Sequence, residues 1–272
     1  MKNKKILPLI IFFGIAFGIP WIIWISMNIL EVDEQTKVKL FYAGDFCSVG
    51  GLVAAYFANK KNGLKIMFKR LIEYRFPFKW LIITISIPFV YMAIAFILGS
   101  LYTIGEIGEI IPKKLLIIFT PAALAMFLTG PLGEEFGWRG FLLPKLLEKF
   151  NPLIASIILG FLWGIWHFPI YSNDIYSSFD TGFIFTTHTI LASIIMTVIY
   201  LHTKGSILMM IIYHWLINVV QFAFMLTFAS TNTTFDPFQN IGELIIIGIL
   251  FVFYGKKMLK KTDSELLFIK QN

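Results

Sequence analysis

Cysteine and charge are what this chain has least of. Cys47 is the sole cysteine among 272 residues, and only 14% of positions are charged. A lone cysteine excludes both a disulfide framework and a thiolate metal cluster. So little charge, beside 57% hydrophobic residues and a mean hydropathy of +0.77, excludes an ordinary water-soluble domain. No glycine-rich phosphate loop, internal repeat, low-complexity stretch or soluble domain interrupts the sequence. Acid is scarcer than base, 16 residues against 23. The resulting +7 fits cytoplasmic loops facing anionic lipid headgroups and is no sign of nucleic acid. The expectation is a single membrane domain over residues 1–272, with a short basic tail at 256–272.

Long apolar runs are what the chain has instead. About twenty apolar residues cross a bilayer as a helix, and on that scale there are eight candidates. They are Ile6–Asn28, Phe41–Ala58, Trp80–Leu101, Leu115–Leu143, Ile154–Tyr171, Phe183–His202, Ser206–Phe228 and Ile241–Tyr254. The fold expected is all-α, a polytopic bundle of about eight transmembrane helices. Thr120-Pro121 and Gly130-Pro131 interrupt the fourth run, which predicts a kink or two shorter helices. The first run is too long for a signal sequence and lacks a small-x-small site before Glu31, so it reads as a retained helix.

Basic residues alternate between connections. Lys2, Lys4 and Lys5 precede the first run, and seven bases from Lys60 to Lys79 follow the second. Lys145, Lys149, Lys204 and the group Lys256, Lys257, Lys260 and Lys261 continue the pattern. The other connections carry Glu31, Asp33, Glu34, Glu106, Glu109, Asp174, Asp180 and Asp236, with Lys37, Lys39, Lys113 and Lys114 as exceptions. The positive-inside rule then puts both termini in the cytoplasm.

Against this background the polar residues inside the runs stand out. Glu134 and Glu135 are adjacent in the fourth, and carboxylates at membrane depth are costly enough to imply function. Glu135 and Arg139 are four apart, so they share a helix face and predict a structural ion pair. Glu134 points about 100° away and is left for another partner. If the fourth and fifth runs form a hairpin about Asn151-Pro152, Glu134 and His167 reach similar depth. His214 and Asn218, again four apart, can join them. A carboxylate, two imidazoles and an amide around one cavity form a water-activating, carbonyl-polarising set. The plainer readings are hydrogen-bonded packing for His188, interhelical glue for Asn218 and an interfacial or buried partner for Asp45. Phe222, Phe224 and Met225 read as lipid-facing or packing surface, and Trp163 and Trp166 as packing or cavity wall.

These residues also form a pattern. Gly133-Glu134-Glu135-Phe136-Gly137-Trp138-Arg139-Gly140 resembles the Glu-Glu-x-x-x-Arg motif of the CPBP family, which comprises the type II CAAX prenyl endopeptidases and the bacteriocin-processing or immunity proteins. Trp163-Gly164-Ile165-Trp166-His167 resembles the family's Phe-x-x-x-His, and His214 to Asn218 its His-x-x-x-Asn. The motifs come in the family's order within a core of about 115–220. Trp163 departs from the family's phenylalanine, and the same wall function is expected of it.

The resemblance implies an intramembrane endopeptidase. Glu134 would be the general base for water, and His167 would share its proton or hold the water. His214 and Asn218 would polarise the scissile carbonyl, while Glu135 and Arg139 brace the site. It leaves metal dependence open. No cofactor is favoured, but Glu134, His167 and His214 are a zinc-capable set, although no His-Glu-x-x-His is present. Gly-x-Ser-Gly is absent, and Tyr42-Ala43-Gly44-Asp45 lacks the first glycine of an aspartyl Gly-x-Gly-Asp site. The expected partners are the lipid bilayer and a peptide or membrane-protein substrate, and the Lys-, Ile- and Asn-rich composition suggests a bacterial cytoplasmic membrane. The alternatives are a non-catalytic immunity or scaffold protein and, third, a transporter.

Overall fold

A computed structural model describes residues 2–102, 112–172, 178–227 and 235–262. Glu106, Glu109, Asp174 and the tail beyond 262 lie outside the described residues, as do the side chains of Lys2, Lys4, Lys5, Lys113 and Asp236. Every regular element among the described residues is helical. This is an all-α, multi-pass membrane protein. Among the described residues, six helices are long and apolar enough to cross a bilayer: α1 (Ile6–Ile29), α2 (Glu34–Leu71), α3 (Lys79–Tyr102), and, later in the chain, Phe179–His202, Ile207–Thr227 and Pro237–Leu259. They coincide with six of the eight apolar runs.

The other two runs differ from simple spans, and backbone chemistry says why. The fourth is broken into pieces. A 3-10 stretch (Pro112–Phe119) ends at Thr120, and α4 (Pro121–Leu128) begins with proline at its first turn. Gly130 then takes φ +78°, a positive-φ conformation open to a residue without Cβ, and Pro131 starts α5 (Pro131–Glu135). The chain continues through π-helical turns (Phe136–Leu142) into α6 (Leu143–Leu147). The fifth run is α7 (Pro152–Trp166), only 15 residues long and ending before His167 rather than at Tyr171. Asn151 caps it, accepting from the Ile154 N–H at 2.9 Å, with Pro152 in the first turn. The hairpin expected about Asn151-Pro152 is present.

The remaining helices are α8 (Phe179–His202), α9 (Ile207–Thr227) and α10 (Phe235–Leu259). Ser178 caps α8 through the Thr181 N–H at 3.2 Å. The second run is longer as a helix than as an apolar stretch. α2 goes on to Leu71 past a break at Asn59 and Lys60, which begins where the apolar residues stop at Ala58.

α8 and α9 are buried along most of their length, and α1, α2 and α3 pack around them and the broken fourth segment. Indoles tie α1 and α2 to the interior. Trp166 donates to the Ala16 carbonyl at 2.7 Å, Trp21 to the Trp166 carbonyl at 3.0 Å and Trp24 to the Leu40 carbonyl at 3.1 Å. Ala16 lies in a π-helical turn (Gly14–Gly18), where an irregular ladder offers a carbonyl to a side chain. The helices outside the motif-bearing core thus form the frame that holds it.

Candidate active site

Glu134 and Glu135 sit where α5 passes into the π-helical turns, a local widening common at functional sites. α2 backs this turn at close range. A Cβ on Gly137 would overlap the Cys47 carbonyl, and one on Gly51 would lie 2.5 Å from the Phe136 carbonyl. Glycine at both positions lets the two backbones touch. Ser48 Oγ donates to the Leu132 carbonyl at 2.9 Å, which fixes the start of the same turn.

Glu135 and Arg139 form the expected pair. Arg139 Nη1 donates to Glu135 Oε1 at 2.7 Å, and both side chains are fully buried. The same Oε1 also receives His214 Nδ1 at 2.8 Å. Glu135 therefore does more than neutralise arginine: it orients an imidazole from α9. The Arg139 guanidinium lies over the Trp163 ring, 4.5 Å from its centroid, which adds a desolvated cation–π contact.

Glu134 takes a different set of partners, as its direction on the helix requires. Trp138 Nε1 donates to its Oε2 at 3.1 Å, and Trp163 Nε1 donates to the same oxygen at 2.8 Å. Trp163 lines the cavity as expected of a wall residue, but it is not equivalent to phenylalanine. An indole carries an N–H that phenylalanine lacks, and this one holds the key carboxylate. Oε2 is committed to two donors, so Oε1 remains for other chemistry. A methyl group built on Gly130 would lie 3.6 Å from Oε1 and 3.9 Å from Asn218 Nδ2, so both atoms border one small space.

Three histidines line the adjoining cavity of about 620 Å³, together with Glu134, Trp163 and Asn218. Each is anchored through Nδ1 by an oxygen. For His167 the anchor is the Trp163 carbonyl at 2.8 Å, a group near the end of α7. For His214 it is Glu135, and for His188 it is Glu243 Oε1 on α10 at 2.8 Å. A carbonyl can only accept, so His167 carries its proton on Nδ1 and presents Nε2 as a lone pair. Glu134, His167, His214 and Asn218 thus line one cavity, and Glu135 and Arg139 lie behind it.

Some participants were missed from sequence. Trp138 stands four residues after Glu134, the same spacing that exposed the Glu135–Arg139 pair, so the signal was available. Glu243 carried one too, as a carboxylate inside the eighth apolar run, although no motif there points to its partner. His188, read as a packing residue, lines the cavity and is paired with Glu243. Phe222 and Met225, read as lipid-facing or packing surface, line the cavity as well.

Imidazoles anchored at one nitrogen by an oxygen are the usual companions of metal ligation. Even so, no three His, Cys, Asp or Glu side chains among the described residues are placed to share one ion. In this arrangement Glu134, His167 and His214 do not fit a metal centre.

Comparison with known proteins now bears on this geometry. Residues 116–220 match the family model described as Type II CAAX prenyl endopeptidase Rce1-like. The chain is also 27% identical over 271 positions to CAAX prenyl protease 2 of Methanococcus maripaludis, covering 91% of this chain and 94% of the relative. All three motifs fall inside the matched segment, and the relative aligns along nearly its whole length. What the chain is similar to, over its motif-bearing segment and along most of its length, is a type II CAAX prenyl protease.

Proposed function

We propose that the protein hydrolyses a peptide bond within the membrane, using water activated by Glu134. The substrate class is a membrane-associated or precursor peptide. The observation that carries this reading is the asymmetric hold on Glu134. Two indoles occupy Oε2, while Oε1 lies beside Gly130 and Asn218 at the cavity.

Oε1 takes a proton from the water as its oxygen attacks the scissile carbonyl, and that proton later passes to the departing amine. His167 accepts a hydrogen bond from the water at Nε2. The Asn218 amide donates to the oxyanion. His214, fixed through Nδ1 by the Glu135 carboxylate, completes the polar wall that faces the same oxygen. Arg139 holds Glu135 as the counter-charge. The positive-inside pattern supports both termini lying in the cytoplasm.

The test uses membranes containing wild type, Glu134→Ala or His167→Ala. Each is mixed with internally quenched peptides ending in Cys-aliphatic-aliphatic-X, with and without an S-prenyl group. Products are mapped by mass spectrometry. A cut made by wild type and lost in both variants is expected. Equal cleavage by all three proteins would sink the mechanism, and no cleavage by wild type, with its cellular effect intact, would favour a binding or immunity role.

A further inference from the structure

A second, narrower space reaches Glu134 from the side of α2. It holds about 20 Å³, and Tyr42, Gly44, Asp45, Gly130, Glu134 and His167 are among the residues that line it. Tyr42 is exposed and Asp45 partly so, whereas Glu134 is buried, so the lining runs from the surface of the protein to the carboxylate. Gly130, Glu134 and His167 border this space and the 620 Å³ cavity alike, and the two meet there. Asp45 ends a 3-10 turn (Tyr42–Asp45) and stands where a side chain would cap the helix that follows, yet it makes no capping bond. Asp33, at the start of α2, does cap, accepting from the Thr36 N–H at 3.0 Å. Asp45 forms no hydrogen bond or ion pair with any described residue.

Packing does not account for this carboxylate. An acid within a membrane span is costly when nothing pairs with it. The backbone beside it is nonetheless cut back to admit it: a Cβ on Gly133, the residue before Glu134, would overlap Asp45 Oδ1. Size then decides what each space takes. A cavity of about 620 Å³ has room for a ligand or a short peptide segment. One of about 20 Å³ has room for water and for no side chain, since a water needs about 10–15 Å³ and polar neighbours. Peptide bound in the large cavity displaces the water there, while hydrolysis consumes one water at Glu134 in every turnover.

We propose that the hydrolytic water reaches Glu134 and His167 through this narrow passage while peptide fills the large cavity, and that Asp45 holds the water on its way in. The Asp45 carboxylate accepts a hydrogen bond from that water and exchanges no proton with it, so Asp45 is a positioning residue. The inference rests on the protease reading and adds the route by which the second substrate, water, enters.

The experiment takes a peptide from the quenched Cys-aliphatic-aliphatic-X panel that wild type cleaves. Wild type, Asp45→Asn, Asp45→Leu and Gly44→Ala are compared in nanodiscs, with thermal unfolding as the check that each is folded. Asparagine keeps an acceptor for water without the charge, and leucine keeps the bulk without the acceptor. Alanine adds a methyl to the lining, where it would lie 3.1 Å from Trp166 Cη2. Asp45→Leu, by losing a hydrogen bond to water, and Gly44→Ala, by narrowing the passage, are each expected to lower kcat about tenfold with KM unchanged. Asp45→Asn should keep most of the wild-type kcat. Wild-type kcat in the folded leucine and alanine variants would overturn the passage. So would losses carried by KM, since Asp45 would then touch the peptide, or an asparagine variant as slow as leucine, since the charge and not the water would then matter. Those outcomes, with cleavage still dependent on Glu134, refute this inference alone, whereas no Glu134-dependent cleavage of any peptide refutes the protease reading beneath it.

Discussion

Glu135 serves two partners through one oxygen, and a double-substitution cycle can separate them. Arg139 Nη1 lies 2.7 Å from Glu135 Oε1 and His214 Nδ1 lies 2.8 Å from it, with both charged side chains fully buried. Removing one member of a buried ion pair costs about 3–5 kcal/mol, because the other charge is left uncompensated. Glu135→Gln keeps the shape and an acceptor oxygen but strands the arginine, whose remaining support is the Trp163 face, worth about 2 kcal/mol when desolvated. The lower end, about 3 kcal/mol, is therefore expected for Glu135→Gln. Arg139→Met strands the carboxylate, with His214 still beside it, and should cost a similar amount. The double variant removes both charges, and replacing a whole buried pair by apolar residues is often near neutral. It should be more stable than either single variant. Activity should not follow stability, because the carboxylate that orients His214 is still missing. Unfolding followed by tryptophan fluorescence, with peptide turnover measured beside it, checks both parts. Additive destabilisation, or turnover that recovers with stability, would refute the dual role of Glu135.

Trp163→Phe installs the residue the family carries and removes one of two donors to Glu134 Oε2. A hydrogen bond to a charged group contributes about 1.5–3 kcal/mol. A fall in kcat of about tenfold, with KM little changed, is expected; steady-state kinetics showing wild-type kcat would mean that the indole N–H is idle. Gly137→Ala forces a Cβ into the Cys47 carbonyl of α2, where backbone cannot yield easily. Overpacking of this kind costs about 1–3 kcal/mol, so thermal unfolding should show a clear loss, and an unchanged midpoint would mean that the two backbones are not so close.

Much of this site is legible in the sequence because helix spacing is a short-range rule. Glu135 and Arg139 meet as four-residue spacing requires, and His214 and Asn218 line one cavity for the same reason. The Asn151-Pro152 turn is written in its own cap chemistry, and it brings α7 back so that Trp163 reaches Glu134. Less legible is whatever depends on contact between distant helices. The Glu243 partner of His188 lies 55 residues away, and nothing local to either marks the other. The π-helical turns escape as well, since hydrophobic periodicity does not distinguish a widened turn from a regular one. The shortness of α7 has a similar origin: the run stays apolar to Tyr171, but the helix stops at Trp166, where the His167 ring takes up the Trp163 carbonyl near its end.

The most direct measurement of the central claim is the turnover number of purified Glu134→Gln in nanodiscs, at saturating peptide and beside its thermal unfolding curve. Glutamine keeps the shape and an acceptor for the two indoles but cannot take the water's proton. General-base catalysis contributes about 10²–10⁴-fold, so a folded variant with kcat reduced by about a thousandfold is the result this account predicts. A folded Glu134→Gln that cleaves at the wild-type rate would contradict it.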